Sequence, residues 1–146
     1  IMTNIVLPID FSDTTEKLMQ GAVEFAKKCG GKLFLMHVAP TDIGFAIGDM
    51  GFQDFPEVEE NETKYELVEL NKIEQKIKTQ NVEWETLMLQ GIAGEGILKY
   101  AKDKNADYIG MGSHGRSNMY DVFVGSLTKE LTRRSEIPIL VIPVHD

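Results

Sequence analysis

The hydrophobic positions of this chain change period several times, and each change marks an element. Residues 4–9 are a short apolar run around Ile5, Val6 and Leu7, the pattern of a buried strand. Leu18, Ala22, Phe25, Ala26 and Cys29 then recur at helical spacing and give a first helix one apolar face. Ser12 or Asp13 stands where its cap is needed, Glu16 lies in its first turn, and Gly30-Gly31 ends it. On that face Cys29 reads as a small buried hydrophobe. Residues 32–38 form a second apolar run. Residues 40–56 are a glycine-punctuated connection carrying Phe45, Met50, Phe52 and Phe55, and connections of that length are commonly functional. Residues 57–79 read as a long helix with Tyr65, Val68, Ile73 and Ile77 inward. Residues 82–89 alternate around Trp84 as a third strand, and residues 93–105 form a helix with Ile97, Tyr100 and Ala101 on one face. Residues 108–111 are a fourth strand, Ser126 caps a last helix running to Arg134, and residues 139–144 are a fifth strand.

Strands alternating with helices predict an α/β fold, a parallel sheet with helices on both faces and right-handed crossovers. The 146 residues suit one domain, 1–146, around one core. Ile1, ahead of Met2, reads as an addition to the native start. The pattern does not fix the strand order.

The chemistry concentrates near the C-terminus. The apolar run Tyr108-Ile109-Gly110-Met111 leads into Gly112-Ser113-His114-Gly115, and Gly125-Ser126 follows just before the last helix. Strand, glycine loop and helix start in that order make a place for phosphate: glycine lets the backbone approach, and free N–H groups at a helix start favour an anion. The spacing is Gly-x2-Gly-x9-Gly-Ser. It is not a P-loop, because the following Lys is missing, and it is not the Gly-x-Gly-x-x-Gly fingerprint of dinucleotide folds.

That spacing resembles the nucleotide-binding branch of the universal stress protein family. The resemblance covers nearly the whole chain. Asn4-Ile5-Val6-Leu7-Pro8-Ile9-Asp10-Phe11-Ser12 is similar to the family's first strand and turn, Leu35-Met36-His37-Val38 to its second strand, Gly110 to Arg116 to its signature, and Pro138 to Pro143 to its last strand. The resemblance implies an open five-stranded sheet of order 3-2-1-4-5, a Rossmann-like adenine nucleotide α-hydrolase-like fold. In such a sheet ligands bind beyond the strand C-termini where the order reverses, here between strands 1 and 4. It also implies a cytoplasmic homodimer paired through residues 139–144, and ATP, or AMP or ADP, as the ligand. Mg2+ would be held through the nucleotide phosphates.

The residues implied for the site each have a plainer reading. Asp10 either accepts bonds from ribose hydroxyls or favours the helix start beside it. Pro8 and Ile9 shape the wall at the end of strand 1. Val38 is a core valine whose backbone, by the resemblance, reads the adenine edge. Met111, Gly112, Ser113, His114 and Gly115 wrap ribose and phosphates, whereas alone they would be an ordinary turn. Arg116 is a phosphate-facing cation or a solvated loop residue. Gly125, Ser126 and Leu127 meet the phosphates at the helix start, although Ser is also a common N-cap. His37 reads as a satisfied strand histidine.

Composition narrows the partners. Fifteen Lys and Arg against 23 Asp and Glu give a net charge of −8, which leaves no electrostatic footprint for nucleic acid or an anionic membrane. One cysteine excludes an internal disulfide. No stretch has the length of a membrane span, and no signal-peptide pattern opens the chain. No Walker-B acid, arginine finger, Gly-x-Ser-x-Gly elbow or His-Glu-x-x-His is present. The reading is therefore a nucleotide-binding regulatory module with at most slow hydrolysis. The alternatives are an ATP-consuming phosphohydrolase or nucleotidyl-transfer enzyme, and a nucleotide-independent scaffold.

Overall fold

A computed structural model of the protein describes residues 2–39, 56–113 and 126–144; side chains of residues 56–63 lie outside that description. Five strands, β1 (Thr3–Pro8), β2 (Gly31–Ala39), β3 (Glu83–Gln90), β4 (Tyr108–Gly112) and β5 (Ile139–Ile142), form one parallel sheet of order β3-β2-β1-β4-β5. Among the described residues four helices, α1 (Thr15–Cys29), α2 (Pro56–Ile77), α3 (Ala93–Asp103) and α4 (Ser126–Arg134), cover its two faces. The expected α/β class and strand order are both present.

Strand alternation sorts the core into two layers. Ile5, Leu7 and Ile9 of the β1 segment and Leu33 and Leu35 of β2 pack on one side with α1 and with Ile73 and Ile77 of α2. Val6, Phe34, Met36, Ile109 and Met111 pack on the other side with Ile97, Tyr100 and Ala101 of α3 and Leu131 of α4. Each of the Val, Leu, Ile, Phe and Met side chains among them, taken fully out of water, contributes about 1.5–3 kcal/mol. The central strands carry apolar side chains on both faces because helices cover both.

Local chemistry sets the boundaries. α1 ends at Gly30, whose φ of 66° is left-handed and free of strain only for glycine; its N–H donates to the Ala26 carbonyl. The helix starts one residue later than a cap at Asp13 would place it and two later than a cap at Ser12. Thr14 is its N-cap, without a side-chain capping bond, because the Ser12 hydroxyl is paired with the Thr14 hydroxyl at 2.8 Å and the Ser12 carbonyl receives the Thr15 N–H. Ser126 is itself the first helical residue of α4.

Two burial expectations are corrected. Cys29 is exposed: at the last position of α1 it lies past the part of the helix that covers the sheet. Tyr65 and Val68 are also exposed, at 64% and 54%. The inward stripe of α2 runs instead through Glu66, Leu70, Ile73 and Ile77, a four-three-four spacing whose first member is a carboxylate. At the far end of the sheet Val144 is buried and its N–H donates to the Ser113 hydroxyl, so the open edge of the sheet is Ile139–Ile142 rather than the whole of 139–144. Among the described residues no helix is long and apolar enough to cross a membrane.

Candidate functional site

The strand order divides between β1 and β4, the two central neighbours whose crossovers run to opposite sides. A cavity of about 240 Å³ opens beyond the C-terminal ends of these strands. Separated segments of the chain meet in its wall. Pro8, Ile9 and Asp10 come from the end of β1, Val38 from β2, Met111 and Gly112 from β4, and Ser126 and Leu127 from the start of α4. These are eight of the residues expected from the sequence, gathered because parallel strands deliver all their C-termini to one edge.

Ser113 stands apart from this wall. Its N–H donates to the Ile142 carbonyl at 2.9 Å, and its hydroxyl accepts from Val144, so it ties the ends of β4 and β5 together. His114, Gly115, Arg116 and Gly125 lie outside the described residues, as does the 40–55 part of the long connection.

Six further residues line the cavity that were not expected there: Thr14, Leu18, His37, Ala93, Ile97 and Thr128. Leu18 and Ile97 were legible only as core residues of amphipathic helices. Their helices happen to begin at the sheet edge where the cavity lies, so the upper end of each apolar face becomes cavity wall. Thr128 is buried, and its hydroxyl donates to the Gly112 carbonyl at 3.3 Å, fixing the first turn of α4 against the end of β4.

The wall is chemically divided. Leu18, Val38, Ala93, Ile97 and Met111 supply an apolar side suited to a flat ring. Asp10, Thr14 and Ser126 supply polar groups. Asp10 holds the β1–α1 turn with Oδ1, which accepts the Ser12 N–H at 2.9 Å. The first four N–H groups of a helix have no partner within it, and the first three residues of α4, Ser126, Leu127 and Thr128, line the wall. They bring the positive end of the helix dipole with them. α3 also opens here, at Ala93, and its Gly94 lies against the Glu130 carboxyl of α4, so the two helix starts are packed on one another.

A sequence model of the universal stress protein family matches residues 2–143. The chain belongs to this family. Universal stress protein MJ0577 of Methanocaldococcus jannaschii is 30% identical over 150 aligned residues, covering 94% of this chain and 93% of the relative. The solved structure of MJ0577 superposes with a TM-score of 0.83 at 26% identity, over 100% of this chain and 99% of that one. A universal stress protein solved in complex with cAMP superposes at 0.68, with 18% identity over 99% of this chain and 98% of its own. The Archaeoglobus fulgidus universal stress protein in complex with dAMP superposes at 0.65, with 21% identity over 97% and 98%. At those identities the likeness establishes the shared fold.

Proposed function

We propose that this universal stress protein binds an adenine nucleotide in the cavity between β1 and β4 and acts as a nucleotide-responsive regulatory protein. The observation that carries the reading is the meeting of Pro8–Asp10, Val38, Met111–Gly112 and Ser126–Leu127 in one mainly apolar cavity with a polar side. The cAMP and dAMP complexes of proteins with the same fold support it. The donor set fits such a ligand. The apolar side accepts the base, and the Val38 backbone offers N–H and C=O groups to its edge. Asp10 is placed to accept from ribose hydroxyls, and the α4 start faces the phosphates with main-chain donors. His114, Gly115, Arg116 and Gly125 complete the phosphate side in this reading, and Mg2+ enters with the phosphates of ATP rather than on a protein ligand set.

In this reading turnover is slow at most and binding itself is the signal. The protein works in the cytoplasm as a homodimer paired through the Ile139–Ile142 edge, where Val141 is 44% exposed. Sedimentation at micromolar concentration tests that pairing: a strict monomer removes it.

Thermal unfolding with ATP, AMP and GTP tests the binding. A ligand at about 100 times its Kd adds roughly 2.7 kcal/mol to the folded state, a shift of several degrees. ATP or AMP should raise the midpoint and GTP should not. Gly112→Val, which places a branched side chain at the cavity wall, should abolish the shift with secondary structure retained. No shift with any adenine nucleotide at millimolar concentration would overturn the reading, and rapid release of phosphate would replace the regulatory module with an enzyme.

A further inference from the structure

His37 is only 6% exposed, and both nitrogens of its ring face oxygen atoms. Nδ1 lies 2.5 Å from the main-chain carbonyl oxygen of Ile9. A carbonyl oxygen can only accept, so Nδ1 carries a hydrogen. Nε2 lies 3.0 Å from Oε2 of Glu66 on α2, whose side chain is 17% exposed. Neither Nε2 nor Oε2 has another hydrogen-bond partner among the described residues, so the two atoms answer only each other.

A neutral ring protonated at Nδ1 would point the Nε2 lone pair at a carboxylate lone pair in a nearly dry place. That contact is repulsive, and a buried carboxylate without a donor is costly. A proton between the two atoms removes the conflict. It sits on the ring, as imidazolium against carboxylate, or on the carboxyl group, donated to a neutral ring. The ring of Phe11 packs over the imidazole at 4.4 Å between centroids, tilted by 39°, a placement favourable to the charged form.

We infer that His37 and Glu66 share one buried proton, and that this proton ties α2 to the nucleotide cavity and makes nucleotide binding proton-linked. The inference rests on the binding reading above and adds its regulation. His37 lines the cavity itself, holds the carbonyl of Ile9 next to Asp10, and precedes Val38 on β2. Losing the proton sets Nε2 against Glu66, pushes α2 off the strand ends and disturbs the two backbone segments that face the base and ribose. His37 and Glu66 are thus positioning residues. Among the described residues, the other groups around the ring come from α1, the β1–α1 turn, β3 and the next turns of α2. α1 contributes Leu18 to the cavity, and its N-cap Thr14 lines it too. The β1–α1 turn contributes Asp10, engaged with the Ser12 N–H. The β3 partner of His37 is Met88, and the next inward residues of α2 are Leu70 and Ile73.

The test compares AMP affinity of the wild type and Glu66→Gln by calorimetry from about pH 5 to about pH 10. The Gln amide donates to a neutral ring at Nε2 and so imitates the protonated pair at every pH. Taking the ratio of the two Kd values cancels the titration of AMP itself. The ratio should stay near one at the acid end and then rise by up to about tenfold per pH unit as one proton is lost. A ratio that is flat across the range overturns the linkage. If AMP binds to neither protein at any pH, the binding reading and the linkage fall together. Ring-nitrogen NMR shifts of His37 over the same range then judge the shared proton by itself. A hydrogen-bonded, proton-bearing Nε2 signal that is lost on alkalinisation upholds the pair, and a free Nε2 lone pair at the acid end overturns it.

Discussion

Two glycines in helices of this protein should respond to the same substitution with opposite sign. In an isolated helix interior, Gly→Ala gains about 1 kcal/mol, because alanine surrenders less backbone freedom on folding. At Gly96 of α3 the added Cβ would lie 3.4 and 3.7 Å from the two methyls of Val38, ordinary van der Waals contact. The helix gain is kept, and Gly96→Ala should stabilise by about 0.5–1 kcal/mol. At Gly21 of α1 the Cβ would lie 2.5 Å from Cγ2 of Ile142, more than 1 Å inside the usual ~3.5–4.0 Å separation of carbon atoms. Ile142 is 6% exposed and β-branched, so Cγ2 cannot turn aside without an unfavourable rotamer. Overpacking of that kind costs about 1–3 kcal/mol, which outweighs the helix gain and leaves Gly21→Ala destabilised by about 1 kcal/mol. Urea midpoints read both changes, and for 146 residues each kcal/mol moves the thermal midpoint by about 3–4 °C. Adding Ile142→Ala to Gly21→Ala should return a favourable coupling of about 1 kcal/mol or more in a double-mutant cycle. If Gly21→Ala stabilised the protein as Gly96→Ala does, α1 would not sit on β5 as closely as described, and the argument would fail.

Three other outcomes follow from single contacts. Burial, with a smaller contribution from the charge of Glu85, pushes the Tyr100 hydroxyl up to about 12. An unfolded tyrosine loses its proton near pH ~10, so between these values the unfolded state has released a proton that the folded state keeps. Stability is therefore intact below pH ~10 and falls as pH rises toward 12, by about 2–3 kcal/mol in all, and Tyr100→Phe should flatten that part of an alkaline denaturation curve. Ser113→Ala removes the acceptor of the Val144 N–H beside a buried side chain; a loss of about 1 kcal/mol in chemical denaturation is expected, and no loss would mean water replaces the hydroxyl. Lys76 lowers the Glu16 carboxyl, first by a hydrogen bond and then by its charge, yet both ends of the pair are exposed. Glu16→Gln should accordingly leave the unfolding midpoint unchanged at moderate salt, and a clear drop would show that the pair is better ordered than its exposure implies.

Much of the site was legible because its residues lie at strand ends and helix starts, which local pattern marks. The runs around Ile5, Leu35 and Ile109 name their strands, Gly30 stops α1 in the conformation glycine allows, and Met111-Gly112 and Ser126-Leu127 stand where strand gives way to loop and loop to helix. The phase of α2 was not legible. Its inward stripe opens with Glu66, and a carboxylate in an apolar row makes the exposed Tyr65 and Val68 look like the better face. Cys29 misled for a related reason: periodicity tells which side of a helix is apolar, not how far along the helix the sheet extends.

By itself, then, the sequence determined the kind and succession of elements and the chemistry carried at their ends, because periodicity, caps and turns depend on neighbours within a few residues. The tertiary structure decided which distant pieces meet. A parallel ladder is made of backbone bonds that carry no residue code, so the pattern could not say that β1 lies between β2 and β4; only the family resemblance implied it. Nor could spacing disclose that His37 would find Glu66, 29 positions on and across a crossover. A buried polar pair has meaning only once both partners have left water together, and that happens when α2 closes over the end of β2.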